Sequence, residues 1–564
     1  MYSFLQVFFS LFSALLLTLA IPNELFEFGS PILGLFCLIP FYSALRRAKS
    51  VKEAFFLSFL HGATVHLCSS FWLGNFQGYA LFTLGASLVG TGFFQGFLSF
   101  FFYYPALNLA SFGGKKIGQE AALASFRPLW FSGTYTLWEF FKSTGFLAYP
   151  WGTVSMTAYR WSLITQIADI TGPYGITFLF SLFSATISEY MILRVKGIKK
   201  SDSFLNLCTL LCALFLISAV YGAFELLLPR ESVKTVNAVL VQQNGDPWFK
   251  GEEQSILISE ALSEEKINDF RENDEECDVV VWSEAVLSKR FPSARFFYNS
   301  FPNEKPLTPF IKQMNVPFII GGPYTISIQP RRVANSAIFF NKNGEFSGEY
   351  QKMHLVPFAE LIPGSEYPFI RNIMREIAGF SYGWYPGKCV TLMEIPISSP
   401  VRDTRKSKII SIDIEKNENE KNEEKTVKIA TPICFDDTAA EVCRAMFLYG
   451  SELFVNITND AWSLTRSAEI QHFVVSHYRA IEYRTTLARA TNAGLTAVVG
   501  PTGKTLCSLP LFEEGALCAK IPVYERKMTT YALFGNWLPV SILIFSFIFV
   551  IKTSFFKKEI DERF

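Results

Sequence analysis

The chain has 564 residues, of which 50% are hydrophobic and 58 are Phe, with a formal net charge of +1. A single soluble globule has no use for so much apolar surface, and the basic residues gather at the ends of apolar segments instead of forming a stripe, which argues against nucleic-acid binding. The apolar excess falls in the first ~230 residues and the last ~35, so two physical classes share one chain.

In hydrocarbon every backbone donor and acceptor needs an internal partner, so apolar runs of roughly 20 residues become helices. Candidate spans lie at 4–21, 30–46, 54–75, 80–108, 123–142, 162–193, 204–227 and 529–551. The run 2–20 lacks a basic leader and is followed by further apolar segments, which predicts a retained helix instead of a cleaved signal peptide. Lys and Arg collect on the cytoplasmic side of spans. Arg46, Arg47, Lys49 and Lys52 follow the second span, Lys115 and Lys116 the fourth, Arg194, Lys196, Lys199 and Lys200 the sixth, and Lys552, Lys557 and Lys558 the eighth. Lys142 and Arg160 interrupt this alternation. The pattern predicts a membrane domain over 1–228 with about seven spans, an outward domain over 229–528, and a last span with a cytoplasmic tail over 529–564. Glu139 and Asp169, within or near spans, are the ionisable groups to watch.

The outward region alternates short β-branched runs with helical patterns, as α/β domains do. Strands are predicted at 238–243, 279–282, 317–321, 337–340, 427–433, 453–457 and 496–499, and an amphipathic helix over 468–487. The stretch 398–426, with its EKNENEKNEEK run, has little apolar surface to bury and is expected to be a solvated insertion.

Three segments bring reactive side chains to strand ends. VVVWSEA delivers Glu284, GEYQKMHLVPFAE carries Lys352 and Glu360, and IATPICFDD ends a buried strand at Cys434. A thiol attacks as thiolate and needs a base, for which Glu284 is one candidate; Lys352 could then offset negative charge on a carbonyl oxygen, helped by a backbone N–H next to Cys434. Taken singly, a strand-end Cys is an ordinary small hydrophobe, and a loop Glu or Lys an ordinary surface charge. His354 is a rival base, since alternation sets it on the face of Lys352. Asn459, Asp460 and Trp462 follow a strand and either line the site or cap a turn. Ten cysteines raise the question of metal or disulfides, but there is no C-x-x-C and the five His form no ligand set with them, so no metal is expected. A Cys507–Cys518 bond across a hairpin is conceivable.

WSEA, EYQKMHLVPFAE, the CFDD segment and NITNDAW resemble the signatures of the nitrilase superfamily. Set after seven spans and before an eighth, and joined by YPWGTVSMTA, ITGPYGITFLF and RATNAGLTAVVGPTG, they resemble the apolipoprotein N-acyltransferase family over essentially the whole chain. That resemblance implies a multi-pass helical membrane domain of about eight spans plus an α/β nitrilase-like αββα sandwich. The implied location is the cell inner membrane, with the catalytic domain on the periplasmic side. It implies a cofactor-free monomer that moves a fatty acyl chain from a phospholipid, through a Cys434 thioester, to the α-amine of a lipoprotein's diacylglyceryl-cysteine. Glu284 matches the general base, Lys352 the essential lysine and Glu360 a further acid that positions it, while Trp248 matches a residue near the substrate entrance. Departures are Phe435 and Asp436, where the family has Tyr and Glu, and Ser283, where it has Pro. The alternatives are amide or nitrile hydrolysis by the same three residues, and a transporter or scaffold with an inactive nitrilase-like module.

Overall fold

The computed structural model describes residues 4–561 apart from 76–80, 110–116, 199–200, 246–250, 358, 362–363, 365–366, 379–382 and 400–424. Trp248 and nearly all of the charged insertion lie outside the described residues. The chain divides into two compact units. One comprises Met1–Leu227, Thr465–Tyr478 and Leu533–Phe564, and the other Leu228–Leu464 and Arg479–Ala532. Thr465–Tyr478 thus packs with the helical unit, although chain order alone groups it with the outward region.

Among the described residues of the helical unit, three helices are long and apolar enough to cross a membrane: Thr83–Tyr104, Tyr174–Val195 and Asp202–Leu227. Phe4–Ala20 and Trp537–Thr553 are shorter apolar helices. Two expected spans are broken. The 30–46 stretch forms Pro31–Phe36 and Ile39–Arg47, because Pro40 has no N–H to continue the first helix and starts the second. In the 162–193 stretch the long helix begins only at Tyr174, after Gly172 at φ +64° and Pro173 end the short turns before it. Helix packing here depends on missing side chains. A Cβ on Gly92 or Gly96 would come within 3.0 Å of the Phe59 or Phe55 ring on Val51–Ser69, so two glycines one turn apart let that helix seat its aromatics. The ionisable groups are held internally. Glu139 accepts from the Val154 N–H at 2.6 Å, Asp169 from the Tyr221 hydroxyl at 2.6 Å, and Glu189 from Arg46 at 2.9 Å and the Tyr42 hydroxyl at 2.8 Å.

Among the described residues the second unit has twelve strands. They are β1 (Ser232–Gln242), β2 (Val279–Val281), β3 (Phe318–Ser327), β4 (Arg332–Phe340), β5 (Phe346–Gln351), β6 (Leu392–Pro396), β7 (Thr426–Ala430), β8 (Leu453–Thr458), β9 (Thr486–Thr491), β10 (Ala497–Val499), β11 (Thr505–Ser508) and β12 (Gly515–Tyr524). They form two six-stranded sheets, β12-β1-β2-β3-β4-β5 and β11-β10-β9-β8-β7-β6. β1, β2 and β3 run parallel, as do β7, β8 and β9. The sheets face one another through β1 and β9, and the helix Glu252–Glu272 covers β1 and β12. The result is a layered α/β sandwich. Its outer core gathers Val239, Val241, Ile256, Ile267, Val280, Phe310 and Phe318, each worth roughly 1.5–3 kcal/mol when removed from water. All seven predicted strands fall on observed ones. The predicted helix over 468–487 is instead Arg466–Ser476 and Tyr478–Tyr483, and its last residues open β9. Cys507 sits opposite Val498 in one sheet and Cys518 opposite Val239 in the other, so the conceivable hairpin bond is not made and both are free.

One buried group in this unit sets a pH dependence. Both carboxyl oxygens of Glu260, on the helix over β1, are buried without a hydrogen-bond partner. Burial pushes its pKa up to about 8, with Lys305 pulling down and Glu264 pushing up. The folded value lies above the ordinary ~4.3, so the protonated form contributes stability fully below ~4.3, and that contribution is lost as pH rises through about 8. Glu260→Gln should therefore melt with the parent at pH ~5 and be more stable by about 2–3 kcal/mol at pH ~9. Parallel melting curves at both pH values would mean that the carboxyl is hydrated and does not titrate in this way.

Candidate active site

The parallel strands deliver the first group. β2 ends at Val281, Trp282 and Ser283 continue it, and the chain then turns through Glu284 and Ala285, the latter at φ +61°. Trp282 is anchored below by its indole N–H to Ser263 at 2.9 Å. Ser283, a departure from the proline of the motif it resembles, accepts from Gln243 at 2.6 Å. β3 passes so close beneath this turn that a Cβ on Gly321 would lie 2.5 Å from the Glu284 Cα and the Ala285 N. No other residue type fits at Gly321.

Lys352 follows β5 and is 1% exposed. Its ammonium donates to Glu284 Oε1 at 3.2 Å and to Glu360 Oε1 at 2.9 Å. Asn335 on β4 lies between the two acids, its Nδ2 donating to Glu284 Oε1 at 2.7 Å and to Glu360 Oε1 at 3.2 Å, and its carbonyl accepting the Lys352 N–H at 2.9 Å. The remaining Glu284 oxygen accepts the Asn459 N–H at 2.9 Å, and Glu360 Oε2 accepts the Val356 N–H at 2.8 Å. Each carboxylate is thus hydrogen-bonded on both oxygens, the condition under which buried charge is tolerated.

Cys434 opens a 3-10 turn, Cys434–Asp437, after β7. Its φ of +46° is costly for a residue with a side chain, of order 1–3 kcal/mol. Asp436 pins the strained turn. One oxygen accepts the Met353 N–H at 3.2 Å and the His354 N–H at 2.6 Å, and the other accepts the Tyr350 hydroxyl at 2.9 Å and the Ile433 N–H at 3.1 Å. The turn that starts at Cys434 is therefore tied to the residues flanking Lys352. Asp437 forms a buried ion pair with Arg489 on β9. Phe435 stacks on the His354 ring, centroids 5.2 Å apart and planes 7° off parallel. The Asp460 carboxylate lies within 4.8 Å of the Cys434 sulfur.

Electrostatics follow from burial. Burial and the Glu284 carboxylate push the Cys434 thiol well above its ordinary value, with Lys352 pulling the other way, so the resting sulfur carries its proton. Burial raises Glu284 too, against Lys352. Burial alone would lower Lys352, but Glu284 and Glu360 outweigh it and hold the ammonium charged. Burial pushes Asp436 up to about 7, opposed by Lys352 and the backbone N–H groups. His354, the rival base, is lowered to about 4 by burial and by Lys352, which leaves it neutral at pH 7.

The structure thus joins Glu284, Lys352, Glu360 and Asn459 in one hydrogen-bonded set and ties the Cys434–Asp437 turn, through Asp436 and Phe435, to the residues beside Lys352, with the Asp460 carboxylate near the sulfur. Asp460 opens the 3-10 turn Ala461–Ser463 and Trp462 sits within it, half-buried, so these residues do form a turn as well. Asn335, Tyr350 and Asn492, whose Nδ2 donates to Asn459 Oδ1 at 3.0 Å, were missed. The only signal for Asn335 is a lone amide in the apolar run RVANSAIFF.

Two family descriptions match the chain: apolipoprotein N-acyltransferase N-terminal domain over residues 13–186, and carbon-nitrogen hydrolase over 240–529. Among curated proteins, apolipoprotein N-acyltransferase 2 of Treponema denticola is 37% identical, covering 96% of this chain and 97% of its own length. The protein of the same name from Treponema pallidum is 36% identical over 94% of this chain and 91% of its own. Apolipoprotein N-acyltransferase of Borreliella burgdorferi is 30% identical over 95% and 93%. Identity of that order across both units, and not over the sandwich alone, means that the chain belongs to the apolipoprotein N-acyltransferase family.

Proposed function

We propose that the protein transfers a fatty acyl chain from a phospholipid to the N-terminal α-amine of a lipoprotein's diacylglyceryl-cysteine, with Cys434 as the acyl carrier. The observation that carries this is the buried Lys352 ammonium held between Glu284 and Glu360, with the Cys434 turn clasped beside it by Asp436. Because the resting sulfur is protonated, Glu284 must take that proton as sulfur attacks the ester carbonyl. Lys352 offsets the oxyanion, with a backbone N–H next to Cys434 as a further donor. Collapse breaks the ester C–O bond, Glu284 returns the proton to the departing oxygen, and lysophospholipid leaves with the acyl group on sulfur. In the second half the α-amine attacks the thioester, Glu284 takes its proton, the C–S bond breaks and the thiol is restored with formation of the amide. Splitting the transfer lets two membrane-bound substrates visit in turn, which gives ping-pong kinetics. Glu360 and Asn335 hold Lys352 and Glu284 in register; Asn459 holds Glu284; Asp460 and Trp462 belong to the wall beside the sulfur.

The chemistry requires no cofactor or metal. The protein acts as a monomer of the cell inner membrane, spanning it about eight times, with the sandwich on the periplasmic side.

The test is to incubate the purified membrane protein with phospholipid labelled in its acyl chain and no acceptor. Label should appear on the chain, map to the peptide containing Cys434 and be released by neutral hydroxylamine. A diacylglyceryl peptide with a free α-amine should then chase it off as amide. A chain that stays unlabelled, or a label that hydroxylamine leaves in place, would defeat the mechanism.

A further inference from the structure

The end of the sandwich that carries the site also carries an unusual fringe. β2, β3 and β5 share one direction, so Glu284 and Lys352 emerge at the same edge. β3 runs on past them. Pro323 pairs with Asn335 beside the two carboxylates, and the β3–β4 hairpin continues to a tip at 328–331, about 15 Å farther at ~3.3 Å per residue. Segment 285–303 lies alongside, fastened by Phe291 N–H to Pro323 O at 2.9 Å and Thr325 N–H to Phe291 O at 2.8 Å.

Neither 285–303 nor 321–343 contains an Asp or Glu. Together they expose Lys289, Arg290, Arg295, Arg331 and Arg332. Interleaved with these are Phe296, 68% exposed, and Ile328, 81% exposed, with Phe297 and Ile326 beside them. The cations lie on the rings: the Arg295 guanidinium is 4.6 Å from the Phe296 centroid and the Lys289 ammonium 5.5 Å from that of Phe297. Of the bordering acids, Glu304 is exposed, whereas Glu252 is engaged by the Ser288 N–H at 2.6 Å and by the Tyr298 hydroxyl, and Glu349 by Tyr324. The fringe therefore keeps a net positive charge on a hairpin that extends past the site and is studded with exposed apolar tips.

We infer that this fringe docks on the anionic headgroup surface of a bilayer, which brings lipid up to the mouth of the site; the inference rests on the acyl-transfer function proposed above. Guanidinium groups pair with lipid phosphates while the Phe and Ile tips enter the interface, and each basic residue near an anionic surface contributes roughly fivefold in affinity. A bilayer demands no shape complementarity, which suits basic and apolar side chains spread along a narrow hairpin tip better than a folded protein partner does.

The experiment compares the full-length protein in nanodiscs of phosphatidylcholine alone and of phosphatidylcholine with about 30% phosphatidylglycerol, reading amide hydrogen exchange in 286–300 and 324–334. Exchange should slow in the anionic discs and recover in about 0.5 M NaCl. A variant carrying R295Q, R331Q and R332Q should exchange alike in both discs; were it too unstable to purify, the salt titration of the parent protein decides alone. Identical exchange of the parent protein in both discs would overturn the inference. So would slowing that appears in neutral discs only when an acidic lipoprotein acceptor is added, which would make the fringe a protein dock. The readout needs no turnover, so a failure of the thioester chemistry would register separately in the labelling experiment.

Discussion

Cys434→Ala is expected to remove the hydroxylamine-labile label entirely and to lower acyl transfer by about 10⁵-fold or more, the scale on which loss of a nucleophile acts when base and oxyanion donors have nothing left to assist. The fold should survive. Alanine keeps the Cβ that the turn already accommodates at φ +46°, and the clasp on the turn comes from Asp436, which is untouched. The variant's melting midpoint should therefore stay within about 3 °C of the parent's, a shift that corresponds to less than about 1 kcal/mol. Cys434→Ser is the sharper comparison. Its hydroxyl is a far weaker acid than a thiol, and the site already holds the thiol protonated, so attack should be slow and any trapped ester should resist neutral hydroxylamine. In the parent protein, the acylation rate should rise with pH as Glu284 ionises. Because burial raises that carboxyl, the acid limb lies above the ordinary glutamate value of ~4.3. If Cys434→Ala transferred acyl chains at more than a few per cent of the parent rate, sulfur could not be the carrier.

How far the sequence could be read differs between layers. Strands buried on both faces, such as VVV at 279–281 and LFVNIT at 453–458, are legible because continuous β-branched and apolar runs leave no other economical structure. β9 was not predicted, and its first two residues, Thr486 and Leu487, fell inside the predicted helix. The apolar period begun at Ala468 runs on without Gly or Pro, and the break falls at Arg484, an αL residue (φ +49°) whose side chain announces no turn. Glu284, Lys352 and Cys434 could be named because each ends a recognisable segment, and the structure brings Glu284 and Lys352 into contact and ties the Cys434 turn to the residues after Lys352. Asn335 could not be. Its position depends on β4 lying between β3 and β5, and sheet order is a property of long-range pairing that residue spacing does not encode. The same holds for Asp436. Read against the family it is a shortened acid; in the fold it is the acceptor for three backbone N–H groups and a tyrosine.

Lys352→Met should damage both stability and chemistry, and the two losses should be separable. The ammonium is almost fully buried and donates to two carboxylates, so a methionine of similar reach leaves Glu284 and Glu360 facing each other without a cation. Removing one partner of a buried charge set costs about 3–5 kcal/mol, mostly through the charges left behind. Acylation should fall by about 10⁴-fold, since the variant loses the oxyanion's counter-charge, worth about 10²–10³, and leaves Glu284 holding its proton more tightly, so that its base function fails as well. Lys352 was the main influence lowering the Glu284 pKa, so whatever acylation persists should have its acid limb moved to higher pH. The cycle with Glu360→Gln decides between a structural and a chemical role. In the Lys352→Met background Glu360→Gln removes one orphaned charge and should restore part of the lost stability, a coupling of about 1–3 kcal/mol, while acylation stays near the single-variant level. Denaturant unfolding and single-turnover labelling read the two quantities. A Lys352→Met protein that kept both within about threefold of the parent would mean that the ammonium does not sit between those carboxylates in solution, and the mechanism would lose the group that stabilises its transition state.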